Sequence, residues 1–155
     1  MTPHQPPRAG PDGIDPSDSE VLRRELSADW LSATEVGQRL GKPPEEGSGF
    51  AKQLRTGNQI YAAWLPSAQR YVYPPWQFTR QGEPISEMEE LLSLLRSPQG
   101  LDIALPSSGW GETEWFLSCH TLLDGRQPAE VLRADPARVL AVAREEFSEG
   151  PGLTR

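Results

Sequence analysis

Cys119 and His120 are the sequence neighbours that first suggest chemistry, because a thiol nucleophile needs a base facing it. Neighbours on a helix point about 100° apart, so these two do not face each other. Cys119 reads instead as a small buried hydrophobe, and His120 as a polar group near a helix C-terminus, where positive charge is favoured. The carboxylates at 87, 89, 90, 112 and 114 fall in first helical turns, where they suit the helix dipole and solubility; a solvated helix face accounts for them. Gly47-Ser48-Gly49 lacks the flanking strand and the lysine of a phosphate-cradling loop. One cysteine allows no internal disulfide or cysteine-based zinc site, and two histidines, His4 and His120, are too few for a histidine metal cluster. The expectation is a non-catalytic protein with no cofactor and no metal.

Basic residues offer a better lead. The net charge of −7 argues against nucleic acid if taken whole, but it is unevenly spread. Residues 81–155 hold six basic and thirteen acidic groups. Residues 36–80 hold six basic groups (Arg39, Lys42, Lys52, Arg55, Arg70, Arg80) against Glu45 and Glu46, a local +4. A helix from about Gly49 to Thr56, capped by Ser48 and closed by Gly57, buries Phe50, Ala51 and Leu54. It leaves Lys52, Gln53, Arg55 and Thr56 outward, residue types that reach phosphates and base edges. Arg70 and Tyr71 lie on a predicted hairpin where a wing would touch backbone. Ser48, Lys52, Gln53, Arg55, Thr56, Arg70 and Tyr71 are therefore the candidate DNA-binding set.

The elements that must position them follow from local signals. Residues 1–19, with five prolines and few apolar groups, read as a disordered tail. Val21 to Leu26 predicts a short helix with Val21, Leu22 and Leu26 inward. Ser32-Ala33-Thr34-Glu35 fits a capping box, with Leu31 and Val36 as its hydrophobic staple, so a helix runs from Ala33 to Leu40. Gly41–Gly47 breaks the chain there, a longer linker than the usual three- or four-residue turn. Gln59–Leu65 and Arg70–Tyr73 predict two strands joined through Pro66–Gln69. Two short helices and a hairpin make the outline of a winged helix-turn-helix. Trp64, Tyr71, Tyr73, Trp76 and Phe78 read as the core between hairpin and helices, with Trp76-Gln77-Phe78 docking the two halves together.

The second half reads as helical. Pro84 suits a first helical position, and Ile85, Met88, Leu91, Leu92 and Leu95 form an apolar stripe. A segment from Trp110 to His120 brings Trp115, Phe116 and Cys119 to one side. Pro128 starts a short helix through Arg133, and Asp135 caps a last helix bearing Val139, Leu140, Ala143 and Phe147. The fold class is mostly α with a small β hairpin. Its parts are a tail (1–19), a helix-turn-helix-like part with the hairpin (20–80), a helical part (81–147) and a frayed end (148–155). No apolar run approaches the ~18 residues of a membrane span. No signal peptide is visible, so the default location is cytoplasmic.

Three segments of the second half then become specific: Trp115-Phe116-Leu117, the run Leu122-Leu123-Asp124-Gly125-Arg126-Gln127-Pro128-Ala129-Glu130-Val131-Leu132, and Arg138-Val139-Leu140-Ala141-Val142-Ala143-Arg144. Together they resemble the Xre/MbcA/ParS toxin-binding domain of bacterial antitoxins over about residues 84–147. Tyr73-Pro74-Pro75-Trp76-Gln77-Phe78 is similar to a run found after the divergent helix-turn-helix of some members. The resemblance implies a type II antitoxin that binds a cognate toxin, often a RES-domain, NAD-depleting one, and represses its own operon by binding operator DNA. An acidic half carrying isolated arginines can meet a basic toxin cleft. Arg126, Glu130, Arg133, Arg138, Arg144 and Phe147 are the expected toxin-binding residues, with Arg126 alternatively bracing its turn through backbone carbonyls. A homodimer is expected from reading palindromic DNA. The rival readings are a transcription regulator without a toxin partner and an immunity protein against a secreted effector.

Overall fold

The computed structural model describes residues 16–101, 103 and 107–147. Most of the expected tail and all of the expected frayed end lie outside the described residues. The fold is mostly α with one two-stranded antiparallel hairpin. Its elements are α1 (Pro16–Leu26), α2 (Ala33–Arg39), α3 (Pro44–Thr56), β1 (Ala63–Leu65), β2 (Arg70–Val72), a 3₁₀ turn at Pro75–Gln77, α4 (Met88–Leu95), α5 (Trp110–Phe116), a second 3₁₀ turn at Thr121–Leu123, α6 (Pro128–Val131) and α7 (Pro136–Phe147).

The expected tail is cut short by α1, which begins at Pro16, a residue pre-set for a first helical turn. The inner face of α1 also differs from expectation. Val21, Leu22 and Leu26 are exposed, Leu22 at 56%. Polar residues spaced 20, 23 and 27 face the body instead. Glu20 accepts a hydrogen bond from the Ser67 amide at the hairpin tip (2.7 Å), Arg23 lies over the Trp110 ring (5.0 Å), and Ser27 is buried. The Ser67 hydrogen bonds hold the Glu20 carboxyl below its usual range.

The capping box at Ser32 is present in both directions: the Glu35 amide donates to Ser32 Oγ (3.1 Å), and the Ser32 amide to Glu35 Oε1 (2.8 Å). The hairpin pairs Ala63 with Val72, Trp64 with Tyr71 and Leu65 with Arg70. Contrary to the expected longer strand, Gln59–Ala62 lies outside β1; Ile60, Tyr61 and Ala62 are buried through side-chain packing and irregular backbone. Leu31 and Tyr73 exchange backbone hydrogen bonds (2.9 and 2.8 Å), which ties the entry to α2 onto the hairpin.

Three apolar clusters fill the interior. One joins α2, α3 and the hairpin through Val36, Ala51, Ile60, Tyr73 and Phe78. A second packs α4 to α7 around Leu91, Leu92, Phe116, Leu132 and Val139, and takes in Tyr61 from the first half. The third sets Trp110 against Ala63, Leu65 and Val72. Each large side chain so buried contributes about 1.5–3 kcal/mol. Trp76 packs on the second cluster while Phe78 belongs to the first, so the segment between them does join the halves.

Helix α4 starts at Met88 rather than Pro84, because Phe78 and Pro84 form a bridge and the Ile85 amide donates to Gln77 O (2.9 Å). Helix α5 ends at Phe116, which leaves Cys119 exposed rather than buried. His120 is in extended backbone paired with Arg126, its ring against Trp115, instead of at a helix end. Glu112 is not solvated at all: it is 0% exposed and bound to Arg96.

Candidate nucleic-acid interface

The geometry of the basic region starts from two glycines. A Cβ on Gly37 would lie 2.3 Å from Gly47 Cα, and one on Gly47 would lie 2.9 Å from Thr34 O. Helices α2 and α3 therefore cross with their backbones in contact, which no larger residue allows. The connection between them is Leu40–Pro43, four residues, and not the longer Gly41–Gly47 linker expected. Pro43 and Pro44 do not break the chain there. They occupy the cap and first position of α3, where the missing amide hydrogens are not needed, and Glu45 and Glu46 suit its N-terminal dipole. Ser48 is consequently a mid-helix residue, not a cap. Gly41, with φ +82°, makes the turn itself.

With α3 a turn longer at its start, Ser48, Lys52 and Arg55 stand at i, i+4 and i+7 on one face. They line a groove of about 340 Å³ whose opposite wall is Arg70, Tyr71 and Tyr73, with Ser32 and Ala33 at its end. Five of the seven expected DNA-binding residues thus meet in one place. Gln53 and Thr56 do not. They project from the adjoining face of α3, where Thr56 Oγ1 donates to Gln53 O (3.3 Å).

Arg55 is held rigidly. Its Nε donates to the Tyr73 hydroxyl (3.3 Å), and its guanidinium lies 4.0 Å from the Tyr71 ring centroid. Stacking on an aromatic face fixes the plane of the fork while leaving its outer N–H groups to a ligand. Among the described residues no carboxylate pairs with Lys52, Arg55 or Arg70. Trp64 packs edge-on against Tyr71 (4.9 Å) and stiffens the hairpin behind the groove. Ser32 and Tyr73 were not anticipated in this wall. Tyr73 carries the core-like signal of an aromatic in a strand, and nothing in the sequence shows its hydroxyl reaching a residue eighteen positions away.

The second expected set is largely committed within the molecule. Arg133 donates to Phe78 O and Pro75 O (both 2.9 Å), strapping α6 to the junction of the halves. Arg138 donates to Leu122 O (3.2 Å) and Asp124 Oδ2 (3.0 Å), the bracing role that Arg126 was a candidate for. Arg144 is paired with Glu90 (2.7 Å). Phe147 is buried against Trp115. Arg126 makes no ion pair or hydrogen bond with its side chain among the described residues and projects outward, as does Glu130, which closes the α6 capping box with Gln127.

No protein-family profile matches the chain, and no curated protein matches it. Among solved structures, the NMR structure of Rv2175c is similar, at 23% sequence identity and a TM-score of 0.56 over 76% of this chain and 80% of that one. The likeness is one of fold. No described helix is long and apolar enough to cross a membrane.

Proposed function

We propose that this protein is a sequence-reading DNA-binding regulator, with α3 entering the major groove and the β1–β2 hairpin acting as a wing on the backbone. The observation that carries the reading is the groove itself. Ser48, Lys52 and Arg55 share one face of α3, and Arg70 and Tyr71 face them from β2. A random scatter of surface charges would not place its cations on two facing walls with a four-residue turn behind them. Residues 36–80 carry a local charge of +4 within a chain of net charge −7, and that positive island is what would draw a duplex to this part of the molecule.

Fluorescence anisotropy with a labelled duplex pool, followed by selection of the bound sequences, tests this. Lys52→Ala with Arg70→Ala should lower affinity and reduce the log–log salt slope by about 2, one for each phosphate left without its cation. A full-length protein that binds no duplex at low salt, or variants with an unchanged slope, would end the proposal.

The antitoxin role is a second reading, carried by one feature of the expected toxin-binding half. Leu122 is 56% exposed on the turn that also projects Arg126, and Glu130 stands outward on the following helix. A large apolar residue in such a position suits a protein partner. Co-expression with the adjacent open reading frame should then recover a complex that Leu122→Asp weakens; recovery of no partner removes this reading.

A further inference from the structure

Behind the groove, on the other side of Arg55 and Tyr71, lies a cavity of about 280 Å³. Arg55, Thr56 and Asn58 line it from the end of α3, Tyr71 from the wing, and Arg96 and Ser107 from the second half. The proposed DNA reading uses only Arg55 and Tyr71 of these. The rest are organised by a carboxylate that never meets solvent. Glu112, 0% exposed, accepts from Arg96 Nε (2.7 Å) on one oxygen and from Ser107 Oγ (2.8 Å) on the other. Arg96 Nη1 reaches on to Asn58 Oδ1 (2.9 Å).

That bonding pattern leaves guanidinium N–H groups as the free donors of the cavity. Both Glu112 oxygens and Asn58 Oδ1 are occupied. Arg55 Nη1 and Nη2 and Arg96 Nη2 carry no hydrogen bond among the described residues. Among the described residues, two guanidinium groups against one carboxylate leave the cavity with a net positive charge. A buried ion pair does not by itself stabilise a fold, since desolvation offsets the attraction. Holding Arg96 by its Nε edge does, however, fix where its remaining donors point. Planar forks with the Asn58 amide beside them match a phosphate oxyanion, while the Thr56 and Ser107 hydroxyl protons are already given to Gln53 O and Glu112 Oε1.

We propose that this cavity is a phosphate-binding site, filled by a small phosphorylated ligand or by a phosphate of the DNA backbone. Arg55 and Tyr71 belong to both cavity and groove, so occupancy and duplex binding are thermodynamically linked; this coupling and the backbone-phosphate source rest on the DNA-binding reading, the phosphate site itself does not.

The test is a ¹H–¹⁵N NMR titration of the full chain with inorganic phosphate and with glycerol 3-phosphate, at constant ionic strength set by chloride. Saturable shifts are expected at the Thr56, Asn58 and Ser107 amides and at the Arg96 side chain. Asn58→Asp keeps the acceptor for Arg96 but puts a carboxylate at the cavity wall, and should weaken phosphate at least about tenfold. Thr56→Glu, at an exposed helix position, should do the same and serves if the first variant is poorly folded. Shifts that do not saturate, that chloride reproduces, or that neither variant changes would overturn the site. A duplex added to the phosphate-loaded protein separates the two sources. Loss of the phosphate shifts identifies a backbone phosphate as the occupant, and their persistence alongside bound DNA identifies a separate ligand. Phosphate shifts in a protein that binds no duplex would leave the cavity standing and refute the DNA reading.

Discussion

Gln77 grips the backbone of Tyr61 from both sides: its Oε1 accepts from the Tyr61 amide and its Nε2 donates to the Tyr61 carbonyl, each at 2.8 Å. The side chain is fully buried and also donates to Pro74 O (3.1 Å). It stands in for the strand partner that Gln59–Ala62 lacks, and so lets irregular backbone run through the interior. Gln77→Ala should cost about 3–4 kcal/mol, because it strands three buried backbone groups as well as leaving a void. Urea unfolding measures this, and a loss below about 1 kcal/mol would mean that water replaces the side chain.

The crossing of α2 on α3 makes a paired prediction about glycines. Gly37→Ala must push Gly47 backbone away and should destabilise by about 2–3 kcal/mol, with duplex affinity falling alongside. Gly49, two residues further on in the same helix, has open space where its Cβ would be. Gly49→Ala should therefore stabilise by about 0.5–1 kcal/mol through helix propensity. Thermal melts that rank the two variants the other way would contradict the crossing.

Tyr61 bears on the alkaline limb of the pH profile, and Asp124 together with Glu20 on the acid limb. Burial pushes the Tyr61 phenol well above its ordinary value of 10.0, outweighing its hydrogen bond with Thr113. The unfolded chain would lose that proton near pH 10 while the folded one keeps it, so stability falls as pH rises beyond about 10. Asp124 is the reverse. A hydrogen bond from Arg138, and that residue's charge, hold its carboxyl below 3.8. Its contribution is present above that value and fades as pH falls through it. Chemical denaturation across pH should show Tyr61→Phe flattening the alkaline limb and Asp124→Asn flattening the acid limb.

Arg133 and Arg126 should behave differently although the sequence offers them as equals. Arg133→Ala breaks two bonds to carbonyls at the junction and should cost about 1–2 kcal/mol. Arg133→Lys should not restore it, since a single ammonium does not reproduce a fork spanning both carbonyls. Arg126→Ala should leave stability within about 0.5 kcal/mol and change only partner affinity. Equal effects on stability from the two alanine variants would sink this distinction.

Local signals carried much of the fold. The capping box at Ser32, the hairpin around Pro66–Gln69 and the apolar stripe of α7 are all written within a few consecutive residues, and the structure contains each. What the sequence hid was non-local or depended on context. Pro43-Pro44 reads as a break until the cap of α3 is seen to need no amide hydrogens. Val21 and Leu22 look like core until a polar face of α1 is seen to reach the hairpin and Trp110. Glu112 looks like a solvated first-turn carboxylate until Arg96 arrives from sixteen residues away. In the candidate interface Lys52 and Arg55 were legible as outward residues, but the i, i+4, i+7 face was not, because Ser48 joins it only once α3 starts at Pro44. Three of the candidate arginines of the second half turned out to be braces, because an arginine near a carbonyl and one facing a partner look alike in a sequence.

The aromatic rings give the molecule a built-in optical readout. Trp110 stacks on Trp30 (5.8 Å), Trp30 meets Trp76 edge-on (5.2 Å), Trp76 leans on Phe116 (6.0 Å), and Phe116 meets Trp115 (5.2 Å). This row runs from the start of α5 to Trp30 at the entry to α2, on to Trp76 at the junction, and back to the end of α5. Trp64 is paired with Tyr71 at the groove instead. Excitation can migrate among the tryptophans, and prying the halves apart would separate Trp30 from Trp110 and Trp76 from Phe116. Emission from Trp64 would register events at the hairpin.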